Sequence, residues 1–245
     1  MNLKSYAVQS HQGPYLQLNE DLVEVDFLNG LYFVLDGYGG SGIGDQAVSF
    51  LSQKIKSFYT RINSDPDSTL PFYFSHKYSL ESNALINAAH FAHRSLVEMQ
   101  KERPMDTRGG SSALLAATSE NMISFVSTGN CRGYLFRKNS LKKILEEDSH
   151  RNLYKEDHAS QFLSAPLSGL GLFEDLHVVA TEVRIEPADM ICLMSEGAYS
   201  RLSEDEIRYF LERKDFAPSD KIESIFELAN ERGNLSNQSA MILNF

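Results

Sequence analysis

The chain has 245 residues, 42% of them hydrophobic and 23% charged, an ordinary composition for a soluble globular protein with one substantial core. Its formal net charge of −10 speaks against nucleic acid as a partner, whose binding rests on basic residues, and against anionic membrane surfaces. No apolar run approaches a membrane span, and the first ten residues lack a signal-type apolar core, so a cytoplasmic protein is the expectation.

In chain order, Tyr6–Gln9 starts a strand, and His11–Leu18, with Gly13-Pro14, reads as a loop. Leu22–Val25 is a second short strand, preceded by Glu20-Asp21. Asn29-Gly30 is a hairpin signal that joins it antiparallel to Leu31-Tyr32-Phe33-Val34-Leu35, a buried strand ending on Asp36-Gly37. One turn thereby brings Glu20 and Asp21 beside Asp36. Ile43–Ile62 has helical spacing, and 63–78 reads as a loop with several aromatics between 70 and 78. Ser79–Glu102 is a long helix, with Ala84, Ala88 and Phe91 on an apolar face and Asn83, Asn87, His90 and Arg94 on a polar one. His90 and His93 lie three apart with no third ligand close in sequence, which favours a structural reading.

Arg108–Ser112 reads as a tight loop before the strand Ala113–Thr118. Met122–Thr128, Tyr134–Arg137 and Leu141–Leu145 follow at turn signals, as in an antiparallel meander. Residues 146–166 are polar and irregular. Val178–Ile185 alternates as a half-buried strand, and Met190–Met194 is fully apolar and ends on Ser195-Glu196-Gly197. Ser203 and Glu206 form a capping box before a helix at Glu204–Leu211. Ser219–Arg232 is a last helix and Ala240–Phe245 a closing strand. The two cysteines, Cys131 and Cys192, lie in apolar stretches without a CxxC neighbour and read as buried thiols. Strand runs alternating with helix pairs give an α+β layered domain.

Two buried strands thus end in an acid followed by glycine, at Asp36 and Glu196, and a further acidic pair lies at Glu20-Asp21. Carboxylates gathered at strand ends suit a hard cation, magnesium or manganese. Gly37-x-Gly39-x-x-Gly42 also matches a dinucleotide fingerprint, but a second helix follows where a parallel strand with an acid belongs. No Gly-Lys-Ser/Thr is present, which excludes a P-loop.

The ordered set Asn19–Asp21, Phe33–Gly40, Gly109–Ala113, Ser127–Leu135, Leu167–Gly171, Pro187–Gly197 and Ser236–Ser239 resembles the PPM (PP2C-type) metal-dependent serine/threonine phosphatases. The resemblance spans essentially the whole chain, 1–245, as one PP2C-like domain. It implies a four-layer α-β-β-α sandwich of two mostly antiparallel sheets flanked by helices, with Mg2+ or Mn2+ at one edge. It also implies that Asp36 bridges two metals, that the Gly37 carbonyl ligates one of them, and that Glu20 and Asp21 touch metal or its waters. Asp36 and Asp21 would then be the catalytic residues of an active form.

The departures from the pattern are chemical. Glu196 stands where relatives have Asp, Ser236 where they have Asp before the last strand, and Asn130 where many have the Asp of Gly-Asp-Ser-Arg. Leu16 takes the place of the phosphate-binding arginine, and Tyr38 that of a histidine. The extra methylene of Glu196 moves its carboxylate outward by about 1.5 Å, and magnesium tolerates little misplacement. Leu16 cannot offer arginine's bidentate contact to phosphate. The expectation is a pseudophosphatase that binds a phosphoprotein or regulatory protein, holding fewer ions than its relatives if any. The alternative is an active, atypical Mn2+- or Mg2+-dependent phosphatase. The aromatic loop 70–78 and the stretch 146–166 are candidate contact surfaces.

Overall fold

The computed structural model describes residues 3–40, 42–65, 69–149 and 165–245. Its strands are β1 (Ser5–His11), β2 (Asp21–Asp26), β3 (Leu31–Tyr38), β4 (Gly110–Ser119), β5 (Met122–Thr128), β6 (Arg132–Arg137), β7 (Ser140–Lys143), β8 (Val179–Arg184), β9 (Met190–Met194) and β10 (Gln238–Asn244). Its helices are α1 (Ile43–Ser64), α2 (Leu80–Gln100), α3 (Glu196–Tyr199), α4 (Glu204–Glu212) and α5 (Pro218–Glu231). Among the described residues the strands make two five-stranded sheets, ordered β1-β10-β9-β6-β7 and β2-β3-β4-β5-β8, with every pairing antiparallel. With β2 and β4 both antiparallel to β3, no βαβ unit surrounds the glycine-rich turn, so a dinucleotide fold is ruled out.

Strand periodicity builds the layers. Leu31, Phe33 and Leu35 of β3 face α1 and α2, packing on Leu51, Ile55, Ala88 and Ala92. The alternate residues Tyr32 and Val34 face the other sheet, where they join Leu193 of β9 and Met241 of β10. The far face of that other sheet carries Cys192, Met194 and Ile242 against Ile207, Ile222 and Ile225 of α4 and α5. The result is the α-β-β-α order, with three apolar layers each a side chain thick. Both cysteines are free and buried. No helix among the described residues is long and apolar enough to cross a membrane.

Two expectations need correction. The run of strands after residue 110 is not one meander: β4 and β5 lie in one sheet, β6 and β7 in the other. The chain crosses at Gly129, whose φ of 78° suits glycine and where a Cβ would lie 2.3 Å from Ser112 Oγ. Gly110–Ser112 is strand rather than loop, because Asp36–Tyr38 of β3 offer it a ladder partner. Gln100 holds the preceding Gly109 by two hydrogen bonds, of 2.6 and 2.9 Å.

The polar face of α2 is not solvated as a whole, for Asn83 and Asn87 are buried. Asn87 Oδ1 accepts from the Phe72 and Tyr73 amides (2.8 and 3.3 Å), and its Nδ2 donates to Tyr73 O (2.6 Å). Asn83 bonds both the amide and the carbonyl of Ser75, at 2.8 and 3.0 Å. The two amides therefore supply the loop with the partners that its backbone lacks. His93 is spent similarly: Nδ1 accepts from Gly171 N–H (3.1 Å), so Nε2 carries the proton donated to Glu174 O (3.2 Å). The capping box at Ser203 and Glu206 is present at the start of α4. Of the stretch 146–166, residues 150–164 lie outside the described residues.

Replacing Asn87 by Ala strands three backbone groups, and a loss of about 2–3 kcal/mol is expected. The urea midpoint should fall at unchanged slope, whereas exposed Asn63→Ala should move it little.

Candidate functional site

At one end of the sandwich the layer between the sheets turns from apolar to polar in both sheets at once. Along β3 the inward series is Tyr32, Val34, Asp36; along β9 it is Ile191 and Leu193, with Ser195 just past the strand's end; along β10 it is Leu243, Met241, Ser239. The hairpin register sets Asp21 directly opposite Asp36, so both carboxyls project from the same face of their sheet. Facing them is a row of hydroxyls. Ser10 and Ser239 are cross-strand partners with their Oγ atoms 2.8 Å apart, and Ser195 Oγ accepts from the Ser239 amide at 2.9 Å.

Asp36 Oδ2 accepts the Glu196 amide at 2.9 Å, at the first turn of α3. The Ser195, Ser239 and Asp36 side chains lie close to the Asp21 carboxyl and favour its charged form, while its Oδ2 is buried and makes no hydrogen bond of ordinary geometry. Burial raises both acids. Asp21 is pushed up to about 6, with the Glu196 charge adding to the effect. Asp36 rises well above the usual carboxylate range through burial and the neighbouring Asp21 charge. The Tyr38 hydroxyl is also driven up, by burial and the Asp36 charge.

Above this pair lies an open cavity of about 460 Å³. It is lined by Asp36, Gly37, Tyr38, Glu20, Glu196, Asn130 and Ser236, and also by Leu16 and Leu235. Every site position expected from the sequence except Asp21 therefore lines one cavity, and Asp21 sits behind Asp36. The side chains do not all turn to the same point. Glu20 Oε1 accepts the Gly42 amide at 3.0 Å, so its carboxylate caps the N-terminus of α1, where negative charge is favoured. Gly44 makes room for it, since a Cβ there would lie 2.5 Å from Glu20 Oε2. Glu196 meets Asp36 through its main-chain N–H. Arg132 does not enter the cavity; it is buried under the Tyr199 ring, 4.1 Å from the centroid, and paired with Glu147.

Asn237 is a positioning residue that the sequence reading did not single out. Its Nδ2 donates to Gln12 O and Leu18 O, both at 2.9 Å, and its Oδ1 accepts the Glu20 amide at 3.0 Å. These three bonds fold the loop 12–20 over the cavity and bring Leu16 to its rim. The inward serines Ser10, Ser195 and Ser239 were also missed. Their signal is the parity they share with the apolar residues two and four positions along the strand.

Magnesium wants about six oxygen ligands at about 2.1 Å in near-octahedral order. Among the described residues no three His, Cys, Asp or Glu side chains converge to hold such an ion. Asn130 and Ser236 bring no charge, and the Glu20 carboxylate is engaged at α1. As placed, these residues do not fit a two-metal centre.

No family model matches the chain, and no curated protein does. Solved structures do. PppA, a key regulatory component of the T6SS in Pseudomonas aeruginosa, superposes with a TM-score of 0.81 at 23% identity over 99% of both chains. The Mycobacterium tuberculosis serine/threonine phosphatase PstP gives 0.80 at 21% identity over 98% of both. A PstP catalytic domain in complex with two manganese ions gives 0.78 at 20%, over 98% of this chain and 97% of that one. The chain has the PP2C-like fold of these phosphatases.

A carboxyl raised in the folded state binds its proton more tightly there than in the unfolded chain. Stability is then fully present below the unfolded value near 3.8 and is lost as pH rises through about 6. Thermal melts in metal-free buffer should show a fall on the order of 2–3 kcal/mol across that window. Asp21→Asn should make the profile shallower, leaving the part that Asp36 contributes, and raise the melting temperature at pH 7.5 with little change near pH 4.

Proposed function

We propose that this chain is a PP2C-fold protein whose centre no longer supports efficient hydrolysis, and that it serves as a regulatory or binding module for another protein. One observation carries the reading. The cavity over Asp36 is walled by Asn130, Ser236 and Leu16, where phosphatases of this type place acids and an arginine. Neutral side chains at the first two positions weaken cation binding. A leucine at the third removes the planar donor pair that grips a phosphoryl group. The likeness to PppA, a regulatory component of a secretion system, accords with a regulatory role.

The competing reading, an active Mn2+- or Mg2+-dependent phosphoserine/phosphothreonine phosphatase, draws on the retained Asp36, Gly37 and Asp21. Buried Asp21 Oδ2, which makes no hydrogen bond of ordinary geometry, favours some positive charge nearby.

The two readings separate in a phosphatase assay with para-nitrophenyl phosphate and phosphoserine peptides in millimolar manganese. Turnover at background is expected. Metal-dependent turnover that Asp36→Asn abolishes would refute the proposal. The combined Glu196→Asp, Ser236→Asp and Leu16→Arg variant restores part of the charge pattern and should raise turnover on the order of a hundredfold.

A further inference from the structure

Each sheet has two edge strands, and three of the four edges are guarded by charge. β2 carries Asp21, Glu24 and Asp26, β7 is four residues long with two lysines, and β8 carries Glu182 and Arg184. Such charges discourage another strand from pairing with an open edge. β1 is different. Its seven residues, Ser5–His11, include no Asp, Glu, Lys, Arg or Pro, and they pair with β10 throughout without a bulge. Among the described residues its other edge meets no strand.

Beside that edge runs a groove of about 490 Å³ between β1 and α5, whose lining includes Gln9, His11, Glu223, Phe226, Glu227 and Gln238. Gln238 is fully buried. Its Nε2 donates to Phe226 O (3.2 Å) and Gly197 O (3.4 Å), while its Oε1 makes no hydrogen bond among the described residues. A buried acceptor of this kind calls for a donor. Glu223 and Glu227 are exposed one turn apart on α5, and among the described residues neither is in an ion pair. The groove has no lysine or arginine of its own, and His11 Nδ1 is spent on the Gly13 amide at 3.0 Å.

The ladder register puts Ala7, Gln9 and His11 on the α5 side of the sheet, opposite Ile242, Ala240 and Gln238. A strand added at the open edge lies about 4.8 Å from β1 and turns every second side chain to that same side. A long cationic side chain there runs its stem along Phe226, meets both acids, and brings the donors that the groove lacks. A second copy of the chain is opposed by charge. Antiparallel pairing of two β1 edges about a two-fold axis sets both α5 helices on one face of the joined sheet, with Glu223 and Glu227 of each turned toward those of the other.

We propose that β1 accepts an extended segment of a partner protein as an added strand, with a lysine or arginine side chain directed to Glu223 and Glu227 above Gln238. This surface shares no lining residue with the cavity over Asp36. It gives the regulatory reading a place to bind, but it is read by binding alone. Manganese-dependent turnover would overturn that reading and leave this proposal standing.

The test titrates the full chain into short fluorescein-labelled peptides in which threonine alternates with lysine, norleucine or glutamate, followed by fluorescence anisotropy. The lysine peptide should bind at least about tenfold more tightly than the other two, about 1.4 kcal/mol. N-methylation of its backbone amides removes the ladder hydrogen bonds, keeps the charge, and should cost a similar factor. Glu223→Lys combined with Glu227→Lys should reverse the order of the lysine and glutamate peptides, whereas Glu212→Lys, at an exposed α4 position outside the groove, should not. Both groove acids are exposed, so the double variant leaves a folded protein, as circular dichroism should confirm. Amide hydrogen exchange across residues 5–11 should slow on binding, and that of β8 should not. No binding of the lysine peptide, equal binding of the norleucine or glutamate peptide, or full affinity after N-methylation overturns the proposal. So does an unchanged order in the double variant, unchanged exchange in β1, or a dimer of this chain that protects β1 without peptide.

Discussion

The arrangement of the site depends on one cross-strand pair, Asp21 opposite Asp36, at the point where the space between the sheets opens to solvent. The pair exists because the hairpin closes with Asp26 opposite Leu31 and the register then runs without a bulge to the strand ends. A slip of one residue in β2 would turn its carboxyl to the helix side of the sheet and bring Leu22 inward. The same register that buries Val23 and Val25 between the sheets therefore fixes the acids. Two carboxyls so close in a dry setting are unfavourable as a doubly charged pair, and the surroundings temper this in several ways. The Glu196 amide donates to Asp36, the serines of the opposite sheet lie close to Asp21, and both acids hold protons more tightly than usual.

Around that pair, frame and chemistry have separated. The frame is satisfied internally. Asn237 clamps the first loop, Glu20 caps α1, Gln100 holds Gly109, and Arg132 with Glu147 braces the corner where the chain changes sheets. Each of these contacts joins residues of the chain to one another. The chemistry is carried by a few positions on the cavity wall, where substitutions alter charge without touching the frame. On the proposed reading Leu16, Asn130 and Ser236 are such positions, lining the cavity while the PP2C-like fold around them is kept.

Most of the scaffold was legible in the sequence because it rests on strong local signals. Asn29-Gly30 marked the hairpin, unbroken apolar runs marked β3 and β9, and Ser203 with Glu206 marked the start of α4. What escaped depended on partners distant in the chain. Asn83 and Asn87 follow helical spacing like any solvated stripe, and only the loop folded over them shows that they are buried. Gly110–Ser112 carries turn-type residues, yet the free edge of β3 draws it into a ladder. The split of the meander turned on Gly129, which local propensity alone does not distinguish from an ordinary hairpin glycine. At the site, which residues gather was readable from strand ends, but which way each carboxylate turns was not. The diversion of Glu20 to α1 depends on Gly44 leaving room, a matter of tertiary distance.

The serine row has a bearing on how the protein assembles. Strands β2 to β5 are joined by connections within one half of the chain, whereas Ser10 meets Ser239 across 229 positions of sequence. Closing so wide a loop carries an entropic cost that contacts near in sequence do not, and such closures slow folding. That cost falls on the sheet whose hydroxyls face the acids. A nascent chain can thus form the acidic half of the site long before the half that shields it. Until the last strand is in place, Asp21 and Asp36 remain open to water as ordinary ionised carboxylates.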